Sequence, residues 1–336
     1  MRFFFTACLM AAMYYFVMEK IKQPAEVDGG SREIMGTFAR IVVVAKGNKR
    51  ANACIDTAFN EMKRIDSVMS DYKPNSELSK VNREAFSRPV KVSPELFGIL
   101  QKSVEYSRLS NGAFDITVGP LVDLWHKASE TNSMPDAETI AAAKARVGYE
   151  KLILDSNAMT VKFSVDGMRL DLGGIGKGYA VDKAFEVMRR KGAFAGLVDS
   201  GGNIRCFGKP LERDAWLVGI QDPNLDNDKP LMILTLNDCA VATSGDYRRF
   251  VTVAGEKVSH IIDTATAKGA AKLAGDTIIA ETAIEADALS TAVNVLGPDN
   301  GLALIESLSD VECVLITSGP EYRIIKSKGA DNFVSQ

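Results

Sequence analysis

The chain has no C-x-x-C pair and only two histidines, His126 and His260. These shortages remove a zinc knuckle, a dithiol redox motif and a multi-histidine metal centre. Five cysteines, Cys8, Cys54, Cys206, Cys239 and Cys313, are scattered along it and read as small buried apolar residues. No run of five or more like charges occurs, and a formal net charge of −3 gives no broad attraction to phosphate backbones, so no nucleic-acid partner is expected. Internal repeats and low-complexity tracts are missing too. Neither standard phosphate loop is spelled out: a Walker A loop would need Gly where Asp171 stands and Ser or Thr after Lys177, and the G-x-G-x-x-G spacing is not met.

What is present is an ordinary globular composition. With 336 residues, 46% hydrophobic and 25% charged, the chain can bury a substantial core as one large domain or two medium ones. Residues 3–18 form an uncharged run between Arg2 and Glu19-Lys20, short of the roughly 20 residues of a comfortable spanning helix but within reach of a signal h-region or thin anchor. Segment 1–22 therefore reads as a signal-anchor in preference to a lipidation signal at Cys8, which has too few residues before it for an h-region. An N-terminal helix of a soluble body is the alternative. Segment 23–32, with Pro24 and Gly29-Gly30, reads as a linker, and 33–336 as the body.

Within the body, the pattern predicts a strand over 38–45 and a helix over 50–70, where Ile55, Ala58, Phe59, Met62, Ile65 and Met69 recur at helical spacing. Ser93-Pro94-Glu95 is a helix start, closed by Asn111-Gly112. Another helix is expected over 180–190, with strands over 169–172, 194–198, 216–220, 232–236 and 314–317. Without a regular βαβ beat, the reading is α+β with a mixed sheet.

Three segments carry chemistry. Asp171-Leu-Gly-Gly-Ile-Gly-Lys-Gly-Tyr-Ala-Val-Asp182 runs through four glycines into a helix, where backbone amides and the helix N-terminus suit an anionic phosphate, or make only a tight turn. Val198-Asp-Ser-Gly-Gly-Asn-Ile204 repeats the pattern of a β-run breaking at paired glycines. In Glu285-Ala-Asp-Ala-Leu-Ser-Thr-Ala-Val-Asn-Val-Leu-Gly-Pro298, Asp287, Ser290, Thr291 and Asn294 share one helix face. That stripe is either solvated surface or a set of hard oxygen ligands, Asp287 and Thr291 foremost, for Mg²⁺ or Ca²⁺. His260 is either a base near neutral pH or a structural imidazole at a strand end. Asp115 either binds or caps the next turn, and Tyr72 offers an aromatic face.

Taken together, Met35-Gly-Thr37, Ser70-Asp-Tyr72, Gly112-Ala-Phe-Asp115 with Val118-Gly-Pro120, Asp171 to Asp182, Gly201-Gly-Asn203, His260-Ile-Ile-Asp263 and Ala286-Asp-Ala-Leu-Ser-Thr291 resemble, in order, the FAD:protein FMN transferases of the ApbE family. The resemblance covers nearly all the chain beyond the N-terminal run. It implies a two-part, T-fold-like α+β body with FAD, the substrate, in a cleft and Mg²⁺ at its pyrophosphate. Met35, Tyr72, the backbone of Ala113, Phe114 and Asp115, Asp171, Lys177 and Ile262 would contact FAD. Asp287, Thr291 and the Gly174 carbonyl would hold the metal, and His260 would be the base. The implied activity is transfer of FMN to a Ser or Thr hydroxyl of an acceptor, a flavoprotein subunit of a membrane redox complex. The implied address is the extracytoplasmic, periplasmic face of the bacterial inner membrane. An FAD pyrophosphatase, a non-catalytic flavin carrier and a structural protein are the competing readings. Two departures stand out: Thr264-Ala-Thr-Ala-Lys268 replaces the family's usual Pro and Arg-Thr-Gly run, and Asp199 stands where an amide is common.

Overall fold

Residues 41–45, Ile-Val-Val-Val-Ala, are apolar at every position because their strand is buried on both faces. In the computed structural model, which describes residues 13, 23–223, 230–245, 250–319 and 321–335, this is β2 (Thr37–Lys46), second in an eight-stranded sheet. The others are β1 (Pro24–Ile34), β3 (Ala195–Ser200), β4 (Asn203–Phe207), β5 (Ala240–Gly245), β6 (Leu273–Ala280), β7 (Glu312–Thr317) and β8 (Ile324–Lys326). Their spatial order follows the chain from β1 to β8.

Eight α-helices are present among the described residues: α1 (Asn48–Met69), α2 (Glu77–Glu84), α3 (Pro94–Leu109), α4 (Gly119–Thr131), α5 (Ala137–Lys144), α6 (Gly176–Arg190), α7 (Ala283–Leu296) and α8 (Pro298–Glu306). Ile41, Val43 and Ala45 point into a core shared with α1 and α6, where Phe59, Met62 and Met188 are fully buried. Val42 and Val44 face the other way, onto the hairpin Trp216–Gln221 and Pro230–Leu236. Helices thus cover one face of the sheet and a hairpin part of the other. Ser93 caps α3 as its sequence predicts, accepting from the Leu96 amide at 3.2 Å. Cys54, Cys206, Cys239 and Cys313 are buried.

Three expectations are corrected. Segment 23–32 is not a linker: most of it is β1, paired with β2 from Pro24 to Ile34. The residues that suggested a linker have other work there. Pro24 opens an edge strand, where no donor is missed; Gly30, at φ +67°, sits at the register shift between Asp28 and Ser31; and a Cβ on Gly29 would lie 2.5 Å from Ile55 of α1. The sheet is not mixed, since every neighbouring pair is antiparallel; helices inserted between strands say nothing about the direction in which the chain returns. Residues 169–172 form no strand. They make one parallel bridge, Arg169 to Val118, and then turn into the glycine loop. Segment 1–22 lies, apart from Met13, outside the described residues, and among those no helix is long and apolar enough to cross a membrane.

Candidate active site

The site begins where α6 meets α7. A Cβ on Gly178 would lie 2.2 Å from the Ala283 carbonyl oxygen, so only glycine lets the two helices approach this closely. That approach allows the Gly178 amide to donate to Asp287 Oδ2 at 2.9 Å. One turn further along α6, Asp182 accepts from the amides of Ala283 (2.9 Å) and Ile284 (3.0 Å), capping α7 from outside its own sequence. Burial pushes the Asp182 carboxyl up from its ordinary pKa; the Arg205 guanidinium, 2.7 Å away, and the two amides oppose the shift.

Helix α7 held in this way presents Asp287 and Thr291 to the glycine loop. Thr291 Oγ1 lies 3.5 Å from the Gly174 carbonyl oxygen, and Asp287 Oδ1 lies 3.5 Å from the Lys177 ammonium, which also donates to the Gly173 carbonyl at 2.6 Å. A carboxylate, a hydroxyl and a carbonyl thus lie together, and the carboxylate already attracts a cation. The donor set fits a hard divalent metal. The polar stripe of α7 is not solvated surface: Asp287, Ser290 and Asn294 are buried. Ser290 and Asn294 serve the sheet instead, donating to Asp276 at 2.6 and 3.0 Å.

All twelve residues singled out from the sequence line one cleft of about 1560 Å³. Met35, at φ 55°, stands with Gly36 in the β1–β2 turn. Tyr72 is 78% exposed in the loop after α1, next to Asp71, which Arg169 ties to Asp123 of α4. Burial, and then the charge of Asp171, raise the Asp71 carboxyl. Asp171 shapes its own loop by accepting from the Gly173 amide at 2.7 Å. The Asp115 carboxylate is occupied by the Thr117 amide and hydroxyl and by the Tyr149 amide, at 2.7 to 2.9 Å. It therefore caps a turn, and segment 113–115 is left to offer mainly backbone to a ligand. Exposed His260 follows the strand Glu256–Ser259, and buried Ile262 pairs with Gly269. The departure at 264–268 is a tight turn: Asp263 accepts from the Ala265 amide at 2.8 Å and the Thr266 hydroxyl at 2.9 Å, while the Ala267 carbonyl takes the Trp125 indole N–H at 2.9 Å.

From the sequence, Asp182 and Arg169 carry no site role, and Gly178 counts only as one of the four loop glycines. Asp182 had left a signal, as an acidic residue in the apolar stripe of α6; the other two are defined by partners distant in sequence. Residues 210–219, the far wall of the cleft, were also missed.

Glycine-loop amides at a helix N-terminus, a hard-oxygen cradle and an accessible imidazole in one cleft define an α+β enzyme body suited to a phosphate-bearing ligand. Comparison with known proteins narrows that class. Residues 35–315 match the ApbE family. The chain is 32% identical over 335 residues to the FAD:protein FMN transferase of Klebsiella pneumoniae, covering 96% of this chain and 95% of that protein. Among solved structures, the ApbE protein of Thermotoga maritima superposes with a TM-score of 0.84 at 31% identity, covering 94% of this chain and all (100%) of that one. The flavin transferase ApbE of Vibrio cholerae gives 0.80 at 27%, covering 93% and 100%. The chain belongs to the ApbE family.

Proposed function

We propose that this protein transfers the FMN half of FAD to a Ser or Thr hydroxyl of an acceptor protein and releases AMP. The observation that carries the reading is the meeting, in one cleft, of the Gly174, Asp287 and Thr291 oxygens, the α6 N-terminus and His260. The acceptor oxygen attacks the FMN-side phosphorus, the bond to the bridging oxygen breaks, and AMP leaves with that oxygen. His260, exposed in the cleft, takes the hydroxyl proton. Lys177 and the loop amides neutralise the diphosphate, while Met35, Tyr72, residues 113–115, Asp171 and Ile262 hold the rest of FAD. Asp287, Thr291 and the Gly174 carbonyl would hold Mg²⁺, which supplies positive charge against the phosphoryl oxygens.

The uncharged run at 3–18 supports a membrane-anchored protein working on the periplasmic face of the inner membrane, with a flavoprotein subunit of a membrane redox complex as acceptor. The test is to incubate the full chain in detergent with FAD, Mg²⁺ and such a subunit, and to read covalent flavin fluorescence on a denaturing gel. Fluorescence on the acceptor that EDTA abolishes is the expected result. Free FMN and AMP with no labelled acceptor would instead make the protein a pyrophosphatase.

A further inference from the structure

Tyr72 is 78% exposed, so packing alone does not fix its ring. Its two neighbours in the chain are tied down instead. Lys73 pairs with Asp66 at 2.5 Å, which fastens the loop to α1, the helix it has just left. Asp71 pairs with Arg169, 98 residues further along the chain, and the same guanidinium pairs with Asp123 of α4. Arg169 is thus a long-range link from the Tyr72 loop to the segment that opens the glycine loop.

That segment is itself fixed on both sides. Arg169 forms the bridge to Val118, the Leu170 amide and carbonyl both bond to the Asn82 side chain, at 2.8 and 3.0 Å, and the Asp171 amide donates to the Ile116 carbonyl at 2.8 Å. A Cβ on Gly119 would lie 2.6 Å from the Arg169 carbonyl oxygen, so α4 can start this close only with glycine. The guanidinium therefore stands at a set place relative to the loop that would take the diphosphate. Asp71 depends on it: the carboxylate side chain is only 9% exposed, burial and then the charge of Asp171 raise its pKa, and Arg169 opposes both.

We propose that Arg169 is a positioning residue for FAD, which holds Tyr72, through Asp71, at a set distance from the glycine loop so that a ring and the diphosphate of one FAD molecule are met together. The inference rests on the transferase reading and deepens it. An aromatic face and a helix N-terminus are two contacts on one ligand, and fixing their spacing before binding avoids the cost of ordering the loop afterwards. Without Arg169 the loop keeps its ion pair to α1 and loses its tie to the diphosphate loop. The metal cradle, built where α6 meets α7, is left intact.

The test uses the full chain and a double-mutant cycle, read as Kd for FAD by calorimetry without acceptor. Tyr72→Ala and Arg169→Met are each expected to weaken FAD binding about tenfold, and the double variant by about tenfold as well, because Tyr72 contributes only while Arg169 holds it. In Arg169→Met, KM for FAD should rise while kcat at saturating FAD and acceptor stays within about twofold of wild type, the pattern of lost uniform binding. Arg169→Lys, which keeps a charge for Asp71, should restore part of the affinity. Should Arg169→Met fail to fold, Asp71→Ala breaks the same ion pair with the backbone contacts of 169–171 untouched, and the same cycle applies. Losses that multiply to about 100-fold in the double variant, or unchanged FAD affinity on breaking the ion pair, would overturn the positioning role while leaving the transferase standing. A wild-type chain with no affinity for FAD would overturn both.

Discussion

The Gly178 amide fixes Asp287 Oδ2 at 2.9 Å, while Oδ1 faces the Lys177 ammonium at 3.5 Å. One carboxylate thus has two distinct oxygens, one tied to the fold and one directed at a cation. Helix α7 is positioned by α6 through this bond and through Asp182, so the proposed metal cradle is as rigid as the contact between the two helices.

Asp287→Asn keeps an oxygen for the Gly178 amide but removes the charge. Mg²⁺ affinity, measured by calorimetry, is expected to fall by about 100-fold or more, with thermal stability close to wild type. Retained metal affinity would remove Asp287 from the cradle.

Gly178→Ala would place a methyl group 2.2 Å from the Ala283 carbonyl oxygen, a backbone atom that cannot rotate away. Forcing the helices apart should cost about 1–3 kcal/mol, read as a lower urea midpoint. Mg²⁺ affinity should fall as well, because the same contact positions Asp287. A variant as stable as the wild type would show that the helices are free to part.

The strands and helices with strong periodicity were legible in the sequence: β2, α1, α3 and α7 fall within a few residues of their expected positions. The glycine loop and the oxygen-rich stripe marked Gly174, Asp287 and Thr291 as candidates from the residues themselves, whereas most of the other candidates, Met35 and Ile262 among them, came from the family resemblance; the structure places all twelve on one cleft. Sheet direction was not legible, since it depends on pairing partners far apart in the chain. Nor was β1, whose Pro24 and Gly29-Gly30 carry the same letters in a bulged edge strand as in a linker. The α7 stripe looked ambiguous because its burial depends on Asp276, contributed by a separate strand.

Asp199 departs from the amide common at its position, and burial raises its carboxyl above the ordinary value of 3.8; the bond from the Gly202 amide and the charge of Arg40 offset this only in part. A raised folded-state pKa contributes stability that is complete below about 3.8 and is lost as pH rises through the folded value. Asp199→Asn, which can still accept from Gly202, should therefore lack this component and be no less stable than wild type at neutral pH. Urea titrations from pH 3.5 to 6.5 would show it, and parallel pH profiles for the two proteins would contradict it.

His260 is exposed in the cleft and holds no buried packing position. His260→Gln should bind FAD as the wild type does yet lose about 100-fold or more in kcat. Wild-type turnover would assign proton removal to another group.

In the proposed reaction a protein hydroxyl, and not water, cleaves FAD. The most direct measurement is the ratio of AMP released to FMN bound covalently, with the acceptor identified by intact mass. One AMP is expected for each FMN ester formed on the acceptor, and little AMP when the acceptor hydroxyl is replaced. AMP and free FMN produced at the same rate with or without that hydroxyl would contradict it.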